Sequence, residues 1–557
     1  METGQTPGGV PADTRLDASG RGHGSDWAEL IGWICSRLAG SLDRHPALWF
    51  CGYSAVFWAV SLALAATRPY DFDELSTYYP AALPTARDTW AFFARGLDVH
   101  TPVYAVIVHA LLRVFGDHHV VPRVPAICGF WLAEAGIFMF AGRRCPWSYA
   151  FATMLIAPIT SVYFYATDGR PYALVIGLGA MAMVCWQRAS EGSSRRPFWL
   201  AALACILMLM VSLHYYAVFL WISLAAGEMI RWRARRRPEW GAVLAMAAGL
   251  APIAVFLPMM RLARQNFTST FWAKPGFGSI ENAYRDLLTL GFAPLLGLVV
   301  LWIAYPCFSK TNSRTEVLWN RSIPVHEIVA VTALALLPVY AVPISFLTGI
   351  FTSRYVLISI LGIALWLGLA ACRKAHGDAV LAVMAIGVLG GWYIQKYPAL
   401  AIRQAASSGL RDHRGPYAKT PWMQTLEGSS LPVVVSPAVF FLPLQHYAPA
   451  HVKARLVYLT SLPDALRYDR TDTGDRNLQL FNRRLPLGVS DYTRFVSEHQ
   501  RFLVCAETTN PTWVIEKLRD QGARMELRRR DGTYLVLDVT MPIGDSHSGH
   551  AAALPGL

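Results

Sequence analysis

Residues 101–117 read TPVYAVIVHALLRVFGD, and whether this segment crosses a bilayer decides on which side every later part of the chain lies. Its apolar stretch is shorter than the ~20 residues a crossing helix needs, and it carries His109 and Arg113. Val103, Val106, Ile107, Ala110, Leu111, Val114 and Phe115 recur at three-and-four spacing, the single apolar face of an amphipathic helix. A helix of that kind lies in the membrane interface.

The surrounding sequence makes the distinction matter. Of 557 residues, 54% are hydrophobic and 16% charged, where an ordinary globular protein has roughly 25% charged; the mean hydropathy is +0.32. Apolar runs at 47–67, 122–141, 147–166, 171–188, 197–213, 215–230, 240–259, 286–306, 325–346, 354–372 and 378–395 approach the length that crosses a hydrocarbon core of ~30 Å. This pattern excludes a soluble enzyme, a disordered chain and a secreted disulfide scaffold. It predicts a polytopic α-helical membrane protein of about 11 transmembrane helices plus an outer juxtamembrane helix at 102–116.

Lys and Arg number 50 against 37 Asp and Glu, a net charge of +13. The largest basic cluster, Arg231, Arg233, Arg235, Arg236 and Arg237, directly follows an apolar run, as in a cytoplasmic loop rather than a nucleic-acid surface. With the N-terminus cytoplasmic and 102–116 on the surface, five basic groups fall inside: Arg143 with Arg144, Arg188 with Arg195 and Arg196, the Arg231–Arg237 cluster, Lys310 with Arg314 and Arg321, and Arg373 with Lys374. Were 102–116 a span, all five would face outward. The positive-inside bias therefore agrees with the amphipathic reading.

The expected organisation is a flexible cytoplasmic tail over 1–45, a transmembrane domain over 46–395 with a first outer loop at 68–121, a C-terminal soluble domain over 396–543, and a disordered tail at 544–557. The C-terminal domain falls outside the cytoplasm, in the periplasm if the membrane is a bacterial inner membrane. Within it LPVVVSP (431–437), ARLVYL (454–459), RFLVCA (501–506) and TYLVLDV (533–539) read as strands, and PTWVIEKLRDQG (511–522) as a helix stopped by Gly522. Alternating strands and helices predict a small α/β domain. The nine cysteines are dispersed, odd in number and without metal-ligand spacing, so they imply neither a zinc site nor a disulfide framework.

On this topology the costly polar residues gather on one face. Asp71, Asp73 and Glu74, in DFDELSTYYP (71–80), follow the first span; Asp168, Arg170 and Tyr172, in YATDGRPY (165–172), sit at the outer end of the third. His214, Tyr215 and Tyr216 form the turn between the fifth and sixth, and Arg354 and Tyr355, in FTSRYV (351–356), open the tenth. Ionisable groups at membrane depth are costly unless paired or facing a wet cavity, so their convergence marks a site. Carboxylates there can deprotonate an attacking hydroxyl or stabilise positive charge on a sugar ring, while Arg, Tyr and His can hold a phosphate. The chemistry that fits is glycosyl transfer from a polyprenyl-phosphate sugar, in which phosphate already leaves well and a base is needed more than an acid.

The acidic pair after the first span, TPVYAVIVHALLRVFGD (101–117) followed by VPRVPA (121–126), then DGRPYAL (168–174) and FTSRYVL (351–357), taken in order, resemble the membrane glycosyltransferases of the GT-C superfamily across most of 45–375. That group includes protein mannosyltransferases, aminoarabinose transferases, and bacterial glycosyltransferase-39-like and rhizobial galacturonosyltransferase relatives. The C-terminal α/β domain also recurs in it. The resemblance implies Asp73 as catalytic base, Asp168 at a second acidic position that many bacterial relatives fill with Glu, and Arg354 near the lipid phosphate. Glu74 joins the catalytic set, and Asp71, Arg170, Tyr172, His214, Tyr215, Arg354 and Tyr355 form the substrate-binding set. DFDE contains both a DxD triplet (Asp71, Asp73), which favours a divalent cation, and a DE pair (Asp73, Glu74), which needs none; the reading favours no obligatory metal. Expected partners are a polyprenyl-phosphate sugar donor, membrane lipids and an envelope glycan, lipid or protein acceptor, without nucleic acid.

Simpler roles compete for the same residues. Asp71 or Asp73 can cap a helix, Glu74 can be a solvated first-turn acid, and Asp168 can cap the fourth span. Arg170 and Arg354 can be interfacial anchors, His214 and its tyrosines an aromatic belt, and Arg261, Arg264 and Lys274 solvated loop charges; His109 is expected to pack the surface helix. A transporter or flippase of lipid-linked glycans would need polar groups along a path through the bilayer, where Glu134 and Glu228 are the main inward acids. A glycan polymerase or ligase using a pyrophosphate-linked donor shares most of the chemistry.

Overall fold

A computed structural model describes residues 22–542, except 98–99, 193, 268–270, 309–322, 408–414 and 510–511. The helical part comprises α1 (Gly22–Arg44), α2 (Pro46–Thr67), α3 (Phe72–Ala81), α4 (Ala86–Ala94), α5 (Pro102–Phe115), α6 (Val124–Gly142), α7 (Trp147–Met154), α8 (Tyr172–Ser190) and α9 (Arg196–Leu213). It continues through α10 (Phe219–Arg235), α11 (Trp240–Gly249), α12 (Ala251–Phe267), α13 (Gly278–Leu288), α14 (Phe292–Phe308), α15 (Val325–Ala335), α16 (Leu337–Thr348), α17 (Ser359–Lys374) and α18 (Ala379–Ser407).

Among the described residues, 7 helical runs are long and apolar enough to cross a membrane: α2, α6 with the turn before it, α8, α9, α11–α12, α13–α14 and α18. The pair α15–α16, bent by 57°, makes an eighth; Pro338 opens α16 and lacks the N–H that would continue the helix. The other expected spans are shorter. In 147–166, α7 stops at Met154, turns through the segment containing Pro158, and resumes as a 3-10 helix over Ser161–Thr167. In 215–230 and 354–372, 3-10 turns precede α10 and α17, helices of 17 and 16 residues. Against the expectation of about eleven spans, the described residues thus hold seven helical runs long and apolar enough to cross, or eight if the bent pair is one span.

The expected loose tail is corrected from Gly22 onward. There α1 is a helix whose Cys35, Ala39 and Leu42 are buried, and the Asp43 carboxylate accepts from Ser148 N–H at 2.8 Å. Residues 1–21, the tail at 544–557 and the loop around Lys310, Arg314 and Arg321 lie outside the described residues. The helix α5 buries Tyr104, Ala105, Val108 and His109 against protein, whereas Val103, Val106, Ile107, Ala110, Leu111, Val114 and Phe115 are half-buried or exposed. Burial is one-sided, but it falls on the face opposite to the apolar stripe read from the spacing. His109 Nδ1 hydrogen-bonds the Ala81 carbonyl at 2.8 Å, tying α5 to α3.

Small residues let α6 and α8 run almost backbone to backbone. A Cβ on Gly177 would lie 2.0 Å from Gly129 O, and one on Gly136 would lie 2.5 Å from Ala180 Cβ. This is the close approach by which helices associate in lipid, where no hydrophobic drive separates them from their surroundings. Both helices begin at the same end, so the contact brings Arg123, just before α6, against the segment 168–170 just before α8.

The C-terminal domain has β1 (Val433–Ser436), β2 (Leu456–Thr460), β3 (Val489–Asp491), β4 (Arg501–Glu507), β5 (Arg524–Asp531) and β6 (Tyr534–Thr540) in the order β3-β2-β1-β4-β6-β5. The first four pair in parallel, while β6 runs antiparallel to β4 and β5 to β6. All four strands expected from the sequence are present, as is the helix Trp513–Asp520 ending near Gly522 at φ +72°. The sequence reading lacks β3, which is three residues long, and β5, an edge strand reading RMELRRRD. Before β1 lies α19 (Pro421–Glu427), and after it α20 (Ala438–Tyr447) packs on α3.

Candidate active site

Helix α3 starts on a reciprocal cap. Asp71 Oδ1 accepts from Glu74 N–H at 2.9 Å, and Glu74 Oε2 accepts from Asp71 N–H at 3.3 Å, a capping box that satisfies two orphan donors. The capping role for Asp71 is therefore real. Asp73 and Glu74 follow in the first turn, ~100° apart around the helix, and meet different surroundings.

Glu74 points into protein. Arg123 Nε and Nη2 each donate to its carboxylate at 2.7 Å, Gly169 N–H donates at 2.8 Å, and Arg68 Nη2 stands 2.9 Å away. Its side chain is 1% exposed and that of Arg123 0%, so the solvated first-turn reading does not hold. Arg123 also donates to the carbonyls of Ala65 and Arg68 at 2.6 Å, binding the end of α2 to the start of α6. Gly169 is confined: a Cβ there would lie 3.3 Å from Glu74 Oε1.

Asp73 points the other way, toward Arg354, with which it forms an ion pair. Its backbone carbonyl accepts from Arg170 Nη1 at 2.8 Å; the same nitrogen donates to Thr77 Oγ1 at 2.9 Å, and Nη2 lies 2.8 Å from His100 Nε2. Arg170 is thus buried inside the protein rather than extended to headgroups. Asp168 is buried and lies 3.5 Å from Arg68 Nη2; α8 is preceded by Pro171 at the cap position, so Asp168 does not cap it.

A cleft adjoins this pair, its lining made of Tyr172, His214, Tyr216, Arg354 and Tyr355 together with the apolar Val175, Ile176, Ala217, Leu357 and Ile358. The rings of Tyr216 and Tyr355 stack at 3.8 Å and 9°. His214 is buried against Tyr172 and Tyr355. Of the two neighbouring tyrosines, Tyr216 lines the cleft, whereas the ring of Tyr215, expected in the substrate-binding set, lies against Phe256. Arg261, Arg264 and Lys274 are exposed and away from this lining.

The electrostatics divide the acids into two kinds. Burial works to raise the Asp73 carboxyl, yet Arg170 and Arg354 outweigh it and hold the group below its ordinary value. Glu74 is likewise held down, Arg123 and Arg68 overcoming its burial. Asp168 is pushed well up, by burial first and then by Asp71 and Glu74; burial and Glu74 also raise Asp71. His214 is pushed well down by burial, His100 and Arg170, which keeps its ring neutral.

Oxygens of Asp71, Glu74 and Asp168 lie within 4.8 Å of one another, a donor set of the kind that suits a hard divalent cation. The guanidinium of Arg68 already stands against all three, at 3.8, 2.9 and 3.5 Å. The other acid of the DxD triplet, Asp73, faces Arg354 instead. The set therefore fits an arginine better than a metal.

Sequence reasoning missed Arg68, Arg123, His100 and Thr77, and it placed Tyr216 among the converging groups without assigning it to the substrate-binding set. Arg123 stood inside a motif already singled out, VPRVPA. The signal was available: a cation at a span's edge beside a surplus of acids calls for a partner.

No protein-family model and no curated protein matches the chain. Among solved structures, ArnT from Cupriavidus metallidurans in the apo state superposes with a TM-score of 0.53 at 13% identity, covering 88% of this chain and 97% of that one. The same protein bound to undecaprenyl phosphate gives 0.51 at 13% identity, covering 88% and 98%. The chain therefore shares the overall fold of these ArnT structures, the fold that the resemblance carried by its motifs implied.

Proposed function

We propose that the protein moves a sugar from a polyprenyl-phosphate donor to an acceptor hydroxyl at the outer face of a bacterial inner membrane, inverting the anomeric centre. The observation that carries this reading is the Asp73–Arg354 pair beside a cleft lined partly by apolar side chains: a group able to take a proton next to one able to hold a phosphate oxygen. A fold neighbour crystallised with undecaprenyl phosphate supports a carrier of this class.

The donor phosphate draws Arg354 from Asp73, and the freed carboxyl rises toward its ordinary value and becomes a better base. The acceptor oxygen attacks the anomeric carbon and its proton passes to Asp73. The bond between that carbon and the phosphate oxygen breaks, and polyprenyl phosphate leaves with the electron pair. Arg170 holds the Asp73 backbone in place, and Glu74 positions α3 through Arg123. Asp168, its carboxyl pushed up by burial, hydrogen-bonds a sugar or acceptor hydroxyl, while Tyr172, Tyr216 and Tyr355 offer rings in the cleft. Arg68 supplies the positive charge among the remaining acids, so the reaction needs no obligatory divalent cation.

Glu134 and Glu228 favour a transport path less. Tyr53 donates to Glu134 at 2.5 Å and Trp186 Nε1 to Glu228 at 2.6 Å, pairings inside the helix packing. Turnover of several polyprenyl-phosphate sugars by purified protein tests the proposal, with Asp73→Asn expected to abolish it. Wild-type turnover restricted to a pyrophosphate-linked donor would instead assign a polymerase or ligase.

A further inference from the structure

We infer that Tyr447, contributed by the C-terminal domain, is a positioning residue for the acidic helix α3, making that domain part of the reactive apparatus. The inference rests on the assignment of Asp73 proposed above. Tyr447 closes α20, and its Oη accepts from Tyr70 N–H at 2.7 Å. Tyr70 immediately precedes Asp71, the cap of α3, so this bond fixes the backbone at the point where the acidic segment begins.

The other side of Tyr70 is held as firmly. Its Oη donates to the His119 carbonyl at 2.7 Å, and the Arg123 guanidinium lies 4.7 Å from its ring centre. Tyr70 is therefore clamped between the C-terminal domain and the arginine that grips Glu74. Tyr447 is itself seated: Gly415, at φ +75°, approaches so closely that an added Cβ would lie 3.0 Å from the Tyr447 carbonyl oxygen.

A contact that merely joined two domains would pair side chains on their surfaces, as His446 does with Tyr79 at 3.3 Å. Tyr447 instead bonds a backbone donor three residues from Asp73. Loss of its hydroxyl leaves a part-buried N–H without its acceptor, a defect that acts on the frame of α3.

The test uses the full-length protein in lipid nanodiscs and the variant Tyr447→Phe, which keeps the ring and removes Oη. The expected result is a kcat lower by about tenfold, an unchanged KM for the polyprenyl-phosphate donor, a melting temperature lowered by only a few degrees and faster amide exchange in the peptide spanning 68–78. His446→Phe, which alters the adjacent contact but not the Tyr70 bond, is expected to keep wild-type kcat. Wild-type kcat in Tyr447→Phe, whether or not its melting temperature falls, overturns the inference. If the wild-type protein turns over no lipid-phosphate sugar, the reading of Asp73 fails by itself; amide exchange at 68–78 then still decides the positioning role, and unchanged exchange rejects it.

Discussion

Arg354 and Asp73, 281 residues apart in the chain, close an ion pair in which each side chain is about one-third exposed, at 35% and 33%. The neighbouring pair Arg123–Glu74 is sealed, at 0% and 1%. A partly solvated pair is held weakly and can exchange its partner for an incoming anion. A buried one cannot be opened without stranding a charge. Two adjacent acids thus have different fates because one is reachable and the other is not.

Asp73→Asn is expected to lower kcat by ~10²–10⁴ while polyprenyl phosphate still binds. Arg354→Ala is expected to weaken that binding by ~10–100-fold. Steady-state turnover and titration of polyprenyl phosphate into nanodiscs separate the two effects.

Stability should respond to acid through Glu74. Its folded pKa is depressed, so its contribution is complete above the unfolded value of about 4 and is lost as pH falls through the folded value. Asp168, raised in the fold, acts in the opposite sense, its contribution being lost as pH rises. Glu74→Gln is expected to remove the acid-side loss and, by stranding Arg123, to lower stability at pH 7 by about 3–5 kcal/mol. Thermal unfolding of both proteins between pH 3 and 8 checks this.

Chelation should leave turnover intact, because Arg68 occupies the space between Asp71, Glu74 and Asp168. Complete loss of activity in EDTA, restored by a divalent cation, would show that the acids hold a metal during the reaction.

Gly177→Ala is expected to destabilise the protein by about 1–3 kcal/mol, since the new Cβ would lie 2.0 Å from a backbone oxygen. Because the same contact holds Arg123 near Gly169, kcat should fall along with the melting temperature.

Tyr216→Ala should raise the donor KM several-fold, as it removes half of the stacked pair in the cleft. Tyr215→Ala should leave it unchanged. Kinetics of the two variants side by side test which tyrosine meets the ligand.

Much of this was legible in the sequence wherever the physics is local. The amphipathic spacing of 102–116, four apolar strands and the capping signal at Asp71 each depend on residues within a few positions of one another. The interrupted span at 147–166 was harder, because hydropathy registers apolar content and not the missing N–H of Pro158. Strand β5 carries charges on both faces because it lies at a sheet edge, and so it shows no alternation. The clamp on Glu74 joins residues 68, 74, 123 and 169, a partnership created by how tightly α6 and α8 pack. Spacing along the chain does not encode it.

The order of the two acids in α3 has a consequence for sequence change. Consecutive helical positions differ by ~100° in heading, so Asp73 faces Arg354 while Glu74 faces Arg123 and the scaffold. Combining Asp73→Glu with Glu74→Asp would preserve composition and charge. The shortened arm at 74 would nevertheless fall about one methylene short of Arg123, and the lengthened arm at 73 would overreach Arg354. Two acids interchangeable in a composition count are here fixed by their reach.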